Sequence, residues 1–111
     1  MNDKAFRRAF VTLYGTRAGM VSENENGYTF AYDSEYLSRS DAKAVSLTLP
    51  LRKEPYHSKV LFAFFDGLIP EGWLLDVVYR NWKIDPRDRF GLLIASCRDT
   101  IGAAGIEIAY D

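Results

Sequence analysis

An Asn26-Gly27 pair set between two β-type runs commits the first third of this 111-residue chain to an antiparallel hairpin. Both residues tolerate φ > 0, which the tight turn of a two-stranded hairpin demands. The run after the pair, Tyr28-Thr29-Phe30-Ala31-Tyr32, alternates and puts Tyr28, Phe30 and Tyr32 on one face. Before it come Phe10-Val11-Thr12-Leu13-Tyr14, β-branched and aromatic and stopped by Gly15, and the shorter Ala18-Gly19-Met20-Val21-Ser22. The three runs read as an antiparallel meander.

A polar connection from Asp33 to Lys43 follows, with a helical turn expected at Ser34 to Leu37. Val45-Ser46-Leu47-Thr48-Leu49 alternates again, so a strand is expected with Val45, Leu47 and Leu49 inward and Pro50 ending it. Leu51 to His57 reads as a loop holding Pro55, with Arg52 and Lys53 exposed on it.

The period then changes. Val60, Leu61, Phe64, Phe65 and Leu68 form a helical stripe, with Ser58 placed to cap its start and Gly67 to end it. Pro70 and Glu71 suit the first turn of a second helix. Asp85-Pro86-Arg87-Asp88 suits the start of a third, with Asp85 as cap, and Phe90, Leu92, Leu93, Ile94 and Cys97 follow it. Gly105-Ile106-Glu107-Ile108-Ala109 alternates and is expected to return to the sheet. The fold class is α+β: a single domain over residues 1–111, an antiparallel sheet of about five strands with three helices packed on one face.

Charge and cysteine content exclude several functions. Lys+Arg number 14 against 15 Asp+Glu, a formal net charge of −1, so no basic field holds nucleic acid by neutralising phosphates. Cys97 is the sole cysteine, which rules out an intrachain disulfide, a CxxC pair and a zinc cluster. No 18-residue apolar run is present, and the charged start Met1 to Arg8 has no signal-peptide character, so a soluble cytoplasmic chain is expected.

Catalytic signals are weak. Gly102-Ala103-Ala104-Gly105 precedes an expected strand, whereas a phosphate loop follows a strand and opens a helix; it reads as a turn. Asp66, Glu71, Asp76, Asp85, Asp88 and Asp99 are scattered, several of them where helix caps want acids. His57, the sole histidine, reads as a solvated loop residue beside Tyr56, and Cys97 as a small core hydrophobe. A small enzyme built on His57 with Asp66 or Glu54 lacks any readable base–orienter spacing. No catalytic residue, cofactor or metal is expected.

The second helix carries an oddity. At 100° per residue, Leu74, Leu75, Val77, Val78, Tyr79 and Trp82 average roughly 150° away from Trp73. Trp82 belongs in the core, while Trp73 shares its sector with Asp76 and Arg80. A Trp on a polar helix face is a candidate protein-contact anchor; the plainer reading packs it under a neighbouring loop.

Three ordered motifs then point to a family. Ser46-Leu47-Thr48-Leu49-Pro50-Leu51, Phe64-Phe65-Asp66-Gly67-Leu68-Ile69-Pro70-Glu71-Gly72 and Arg98-Asp99-Thr100-Ile101-Gly102-Ala103 resemble the N-terminal subdomain of HipA-family toxin kinases, across roughly Phe10 to Ile108. Cys97 departs from the glycine usual before the Arg-Asp pair. The ATP loop, catalytic Asp and metal-binding Asp of those kinases have no counterpart here. The resemblance is greatest to HipS, the separate small subunit of split HipBST systems, and the charged leader and the end just after the last strand are expected of a stand-alone protein. It implies an antitoxin that binds and neutralises a HipT/HipA-type Ser/Thr kinase, in a complex with a HipB-like DNA-binding protein and without direct nucleic-acid or membrane contact. Partner-binding residues are then expected at Asp66, Gly67, Leu68, Ile69, Pro70, Glu71, Gly72 and Trp73. The alternative is the regulatory N-terminal subdomain of a longer HipA kinase, with a structural and HipB-contact role. Arg52, Lys53 and Arg87 are either that contact surface or simply solvated charge.

Overall fold

The computed structural model describes residues 6–69, 87–96 and 104–108. Strands β1 (Arg8–Leu13), β2 (Thr16–Asn24) and β3 (Gly27–Tyr32) form the expected meander. A helical turn α1 (Ser34–Leu37) follows. Then come β4 (Tyr56–Ser58), α2 (Ala63–Asp66), α3 (Arg89–Ser96) and β5 (Ala104–Ile108). The sheet has five strands in the order β4-β3-β2-β1-β5, and every neighbouring pair is antiparallel.

The two hairpins turn differently. Tyr14 and Gly15 between β1 and β2 both have positive φ, 51° and 78°, the geometry of a type I′ turn. Between β2 and β3 the central residues are Glu25 and Asn26, and Asn26 donates its N–H to the Asn24 side chain at 2.9 Å. The positive φ expected of the Asn-Gly pair falls on Gly27 alone, at 135°. A Cβ there would run into the Ser58 carbonyl oxygen and stand 2.7 Å from Lys59 Cα, so glycine admits the end of β4. The β1–β2 register slips between Val11 and Thr12 of β1, leaving Ala18 of β2 as the extra residue of a bulge.

One face of the sheet holds the core. Ala9, Val11, Val21, Phe30 and Tyr32 are buried there, with Phe65 of α2 and Phe90 and Leu93 of α3 above them. Phe30 lies 4.8 Å from Tyr32 and 5.4 Å from Phe65 between ring centroids, and Phe90 meets Tyr28 edge-on at 5.8 Å. The alternation of Tyr28, Phe30 and Tyr32 therefore serves one aromatic cluster worth about 0.5–1.5 kcal/mol per ring pair beyond burial. Arg7 ties the chain's start to α3. It grips Asp88 through two hydrogen bonds of 2.8 and 2.9 Å and Glu23 through bonds of 2.8 and 3.1 Å.

Several sequence expectations need correction. Val45–Leu49 is no strand: Ser46 and Leu49 bridge across a tight turn, and the fourth strand is Tyr56–Ser58, at the end of the Leu51–His57 stretch expected to be loop. Leu47 points outward rather than inward. The 60–68 stripe yields helix at Ala63–Asp66 alone, because the chain bends at Lys59 and Val60, Phe62 is still non-helical at φ −52° and ψ 137°, and Ser58 belongs to β4. Gly67 does end α2, yet with φ −70° and not the left-handed cap. The third helix begins at Arg89, and Asp88 takes the capping role expected of Asp85, accepting the Gly91 N–H at 3.1 Å. Of the segment read as a turn, Ala104 and Gly105 lie in β5.

Candidate functional site

The first two motifs meet at one groove. Tyrosine hydroxyls hold the Lys43–Pro50 segment in place of sheet partners. Tyr32 accepts the Val45 N–H at 3.0 Å and donates to the Leu49 carbonyl. Tyr36 accepts the Lys43 N–H at 3.0 Å and donates to the same residue's carbonyl at 2.6 Å. Tyr56 donates to the Pro50 carbonyl at 2.6 Å. Within the turn, Leu49 N–H reaches the Ser46 carbonyl at 3.0 Å and Thr48 N–H the Ser46 hydroxyl at 3.2 Å. These bonds satisfy backbone groups that a strand would have given to a neighbour. Leu49 is turned into the core, and Leu47 stands at the tip, 99% exposed.

Facing the turn is the stretch from Ser58 to Asp66. With Thr48 and Leu49 it lines an open groove of about 630 Å³, whose walls include Val60, Leu61, Phe62 and Phe64. Asp66 and Arg89 also line it, and the Arg89 Nε donates to Asp66 Oδ1 at 2.6 Å. That bond fixes the end of α2 against the start of α3. Both side chains remain about a third or more exposed, so the pair orients more than it stabilises.

The expected partner-binding residues divide accordingly. Asp66 lines the groove in its ion pair, Gly67 is exposed, Leu68 is half-buried against the core and Ile69 is buried within it. Gly67 N–H bonds the Ala63 carbonyl at 2.9 Å and Leu68 N–H the Phe65 carbonyl at 3.0 Å, so this segment leaves α2 in a defined path. Pro70, Glu71, Gly72 and Trp73 lie outside the described residues, as do Trp82 and Cys97. Sequence reasoning missed Leu47, Val60 and Arg89. Val60, read as part of a buried stripe, is 71% exposed.

The other candidates are less organised. His57 is exposed on β4, and its Nδ1 lies 3.1 Å from the Thr29 hydroxyl, beside a shallow hollow of about 460 Å³. Asp66, one acid proposed to work with it, bonds Arg89 instead. Arg52 lies 3.6 Å over the Tyr56 ring and donates to the Glu54 and Pro55 carbonyls; Lys53 and Arg87 are exposed. Among the described residues no group of three His, Cys, Asp or Glu side chains converges as a metal site, and no helix is long and apolar enough to cross a membrane.

The groove thus joins the Ser46–Leu51 motif to the Phe64–Gly72 motif, and residues 9–107 match the HipA N-terminal domain. The chain belongs to the HipA N-terminal domain family. A solved structure of the N-terminal domain of HipA toxin is 32% identical and superposes with a TM-score of 0.76, over 100% of this chain and 99% of that one. A Haemophilus influenzae protein described as uncharacterized is 34% identical over 101 residues, 91% of this chain and 92% of that protein. A Sinorhizobium fredii protein described as a kinase, Y4mE, is 30% identical over 90 residues, 80% of this chain; the chain spans only 21% of that protein's length. Membership in the HipA N-terminal domain family gives the chain a HipA-related toxin–antitoxin role.

Proposed function

We propose that the chain is an antitoxin subunit that binds and neutralises a HipA/HipT-type Ser/Thr kinase, without catalysis of its own. One observation carries this reading: the same domain makes up nearly all of the Haemophilus influenzae relative and about a fifth of the kinase-described one. A domain that exists both with and without the remaining chain keeps a surface shaped for that chain. The segment leaving α2 through Asp66, Gly67, Leu68 and Ile69 leads into Pro70–Trp73, and Trp73 breaks the amphipathic pattern of its own sequence. In this reading the 67–73 segment sets Trp73 in or near the kinase active site and blocks it. A near-neutral net charge of −1 suits an interface of apolar anchors rather than direct nucleic-acid contact. A HipB-like DNA-binding protein completes the complex, and its compartment is the cytoplasm.

The test is growth rescue. The HipA-type kinase from the same genome, expressed alone, arrests growth, and co-expression of this chain restores it. Trp73→Ala lowers affinity by tens to hundreds of fold, the effect of truncating an interface Trp worth on the order of 2–4 kcal/mol. Growth arrest that persists beside the wild-type chain refutes the antitoxin role. Full rescue and unchanged affinity in Trp73→Ala refute the Trp mechanism alone.

A further inference from the structure

We propose that the Ser46–Leu49 turn is a second anchor for the same kinase partner, with Leu47 entering an apolar pocket on that partner and the Val60 rim of the groove closing beside it. The inference rests on the reading that this chain binds such a kinase.

A wholly exposed leucine gains nothing from its own fold, since none of its surface leaves water. Its support is nevertheless built with care. Tyr32 and Tyr56 take three backbone groups at Val45, Leu49 and Pro50, and Ser46 takes two more inside the turn. A side chain on so constrained a turn loses little backbone freedom on docking, which is the condition under which a small apolar contact contributes to affinity. Val60 is exposed across the groove, and Phe62 and Phe64 line the wall between it and Asp66.

The occupant follows from size and charge. A leucine and a valine offer far less than the roughly 800 Å² per partner of a stable dimer, so this patch does not support a second copy by itself. It fits as one side of a larger interface continued past Asp66 on the opposite wall to exposed Gly67. Arg52 and Lys53 follow the turn within six residues of Leu47, Lys59 directly precedes Val60, and all three are exposed. Glu54 is the one acid among residues 50–60, and the groove's own acid, Asp66, is paired with Arg89. The partner's pocket is therefore apolar at its centre and acidic at its rim. In the kinase-described relative, four-fifths of the chain lies beyond the matched domain and is available to supply such a surface.

Isothermal titration of the purified kinase with the full chain tests this. Leu47→Asp leaves the far-UV circular dichroism and melting temperature unchanged, because the side chain touches nothing that folds. It weakens kinase binding at least tenfold, while saturating chain still inhibits the kinase fully. Equal affinity of wild type and Leu47→Asp overturns this proposal and leaves the antitoxin reading standing. Failure of the wild-type chain to bind overturns both. A wild-type dimer in sedimentation that Leu47→Asp dissociates, with kinase affinity unchanged, assigns the turn to self-association and overturns the proposal.

Discussion

Tyr32→Phe is the sharpest test of how the groove is built. The ring stays, with its 4.8 Å contact to Phe30 and its stacking at 6.2 Å on Tyr36, so packing is nearly conserved. What is lost is one hydroxyl that serves the Val45 N–H and the Leu49 carbonyl, both in buried surroundings. Leaving a buried donor or acceptor unsatisfied costs about 1–3 kcal/mol, and some relaxation is expected at a turn; the loss is set at about 2–3 kcal/mol. For a chain of this length that lowers the melting temperature by roughly 8–15 °C. Urea unfolding monitored by circular dichroism, with calorimetry alongside, measures both. Because the hydroxyl also fixes the turn, the variant further weakens any contact made through Leu47 even where the fold survives. A Tyr32→Phe protein within about 0.5 kcal/mol of wild type would refute the claim that this hydroxyl stands in for a missing strand neighbour.

Three other outcomes follow from the same geometry. Arg7→Ala destabilises by about 2 kcal/mol, because it strips the guanidinium from a Glu23 carboxylate that is only 8% exposed; the loss shrinks in a Glu23→Gln background, read by a double-mutant cycle. Hydrogen bonds to Asp88 and then Glu23 hold the Arg7 pKa above its ordinary value, so that cation stays charged throughout the accessible pH range. Tyr14→Asn stabilises by about 0.5–1 kcal/mol, since a bulky residue at φ 51° is replaced by one suited to a type I′ turn; chemical denaturation shows it as a higher midpoint at constant slope. Burial raises the pKa values of Tyr32 and Tyr28 above 10, while the unfolded chain ionises at the ordinary value. Stability contributed by the neutral phenols is therefore full below pH 10 and lost as pH climbs above it, and Tyr32→Phe flattens that alkaline slope in pH-dependent melts.

The legible parts of this fold are those whose signals are local. Phe10–Tyr14, Ala18–Ser22 and Tyr28–Tyr32 are strand-type runs, the last of them alternating, and short turns join them, so each strand's partner is its sequence neighbour. Tyr56–Ser58 escaped notice because three residues show no period, and its middle residue, His57, faces solvent at the sheet edge. Val45–Leu49 misled for the opposite reason. Its alternation is that of a strand, yet Val45 and Leu49 share one backbone partner, the Tyr32 hydroxyl, 13 and 17 residues away, a relation that no local pattern encodes. The same holds for the candidate site. Asp66 was legible within its motif, whereas its partner Arg89 lies 23 residues on and came from tertiary packing. Leu47 was hidden by its own hydrophobicity, since an alternating leucine reads as core.

The aromatic content, 14% of residues, is better explained by this arrangement than by core filling alone. Phe30 contacts Tyr32 on one side and Phe65 on the other, at 4.8 and 5.4 Å. Tyr32 holds the Leu47 turn through its hydroxyl, and Phe65 precedes Asp66, which Arg89 secures. One run of packed rings therefore sets the spacing between the turn and the segment that leaves α2. Close-packed interiors transmit displacement instead of absorbing it, so neither wall of the groove moves without the other. Two contacts held at a fixed separation bind a rigid partner with less ordering cost than two contacts on independent loops. It follows that Phe30→Leu, which keeps an apolar core but shortens this run, should loosen both walls together. Its effect on partner affinity should then exceed that of Leu47→Asp, although Phe30 is buried and touches no partner.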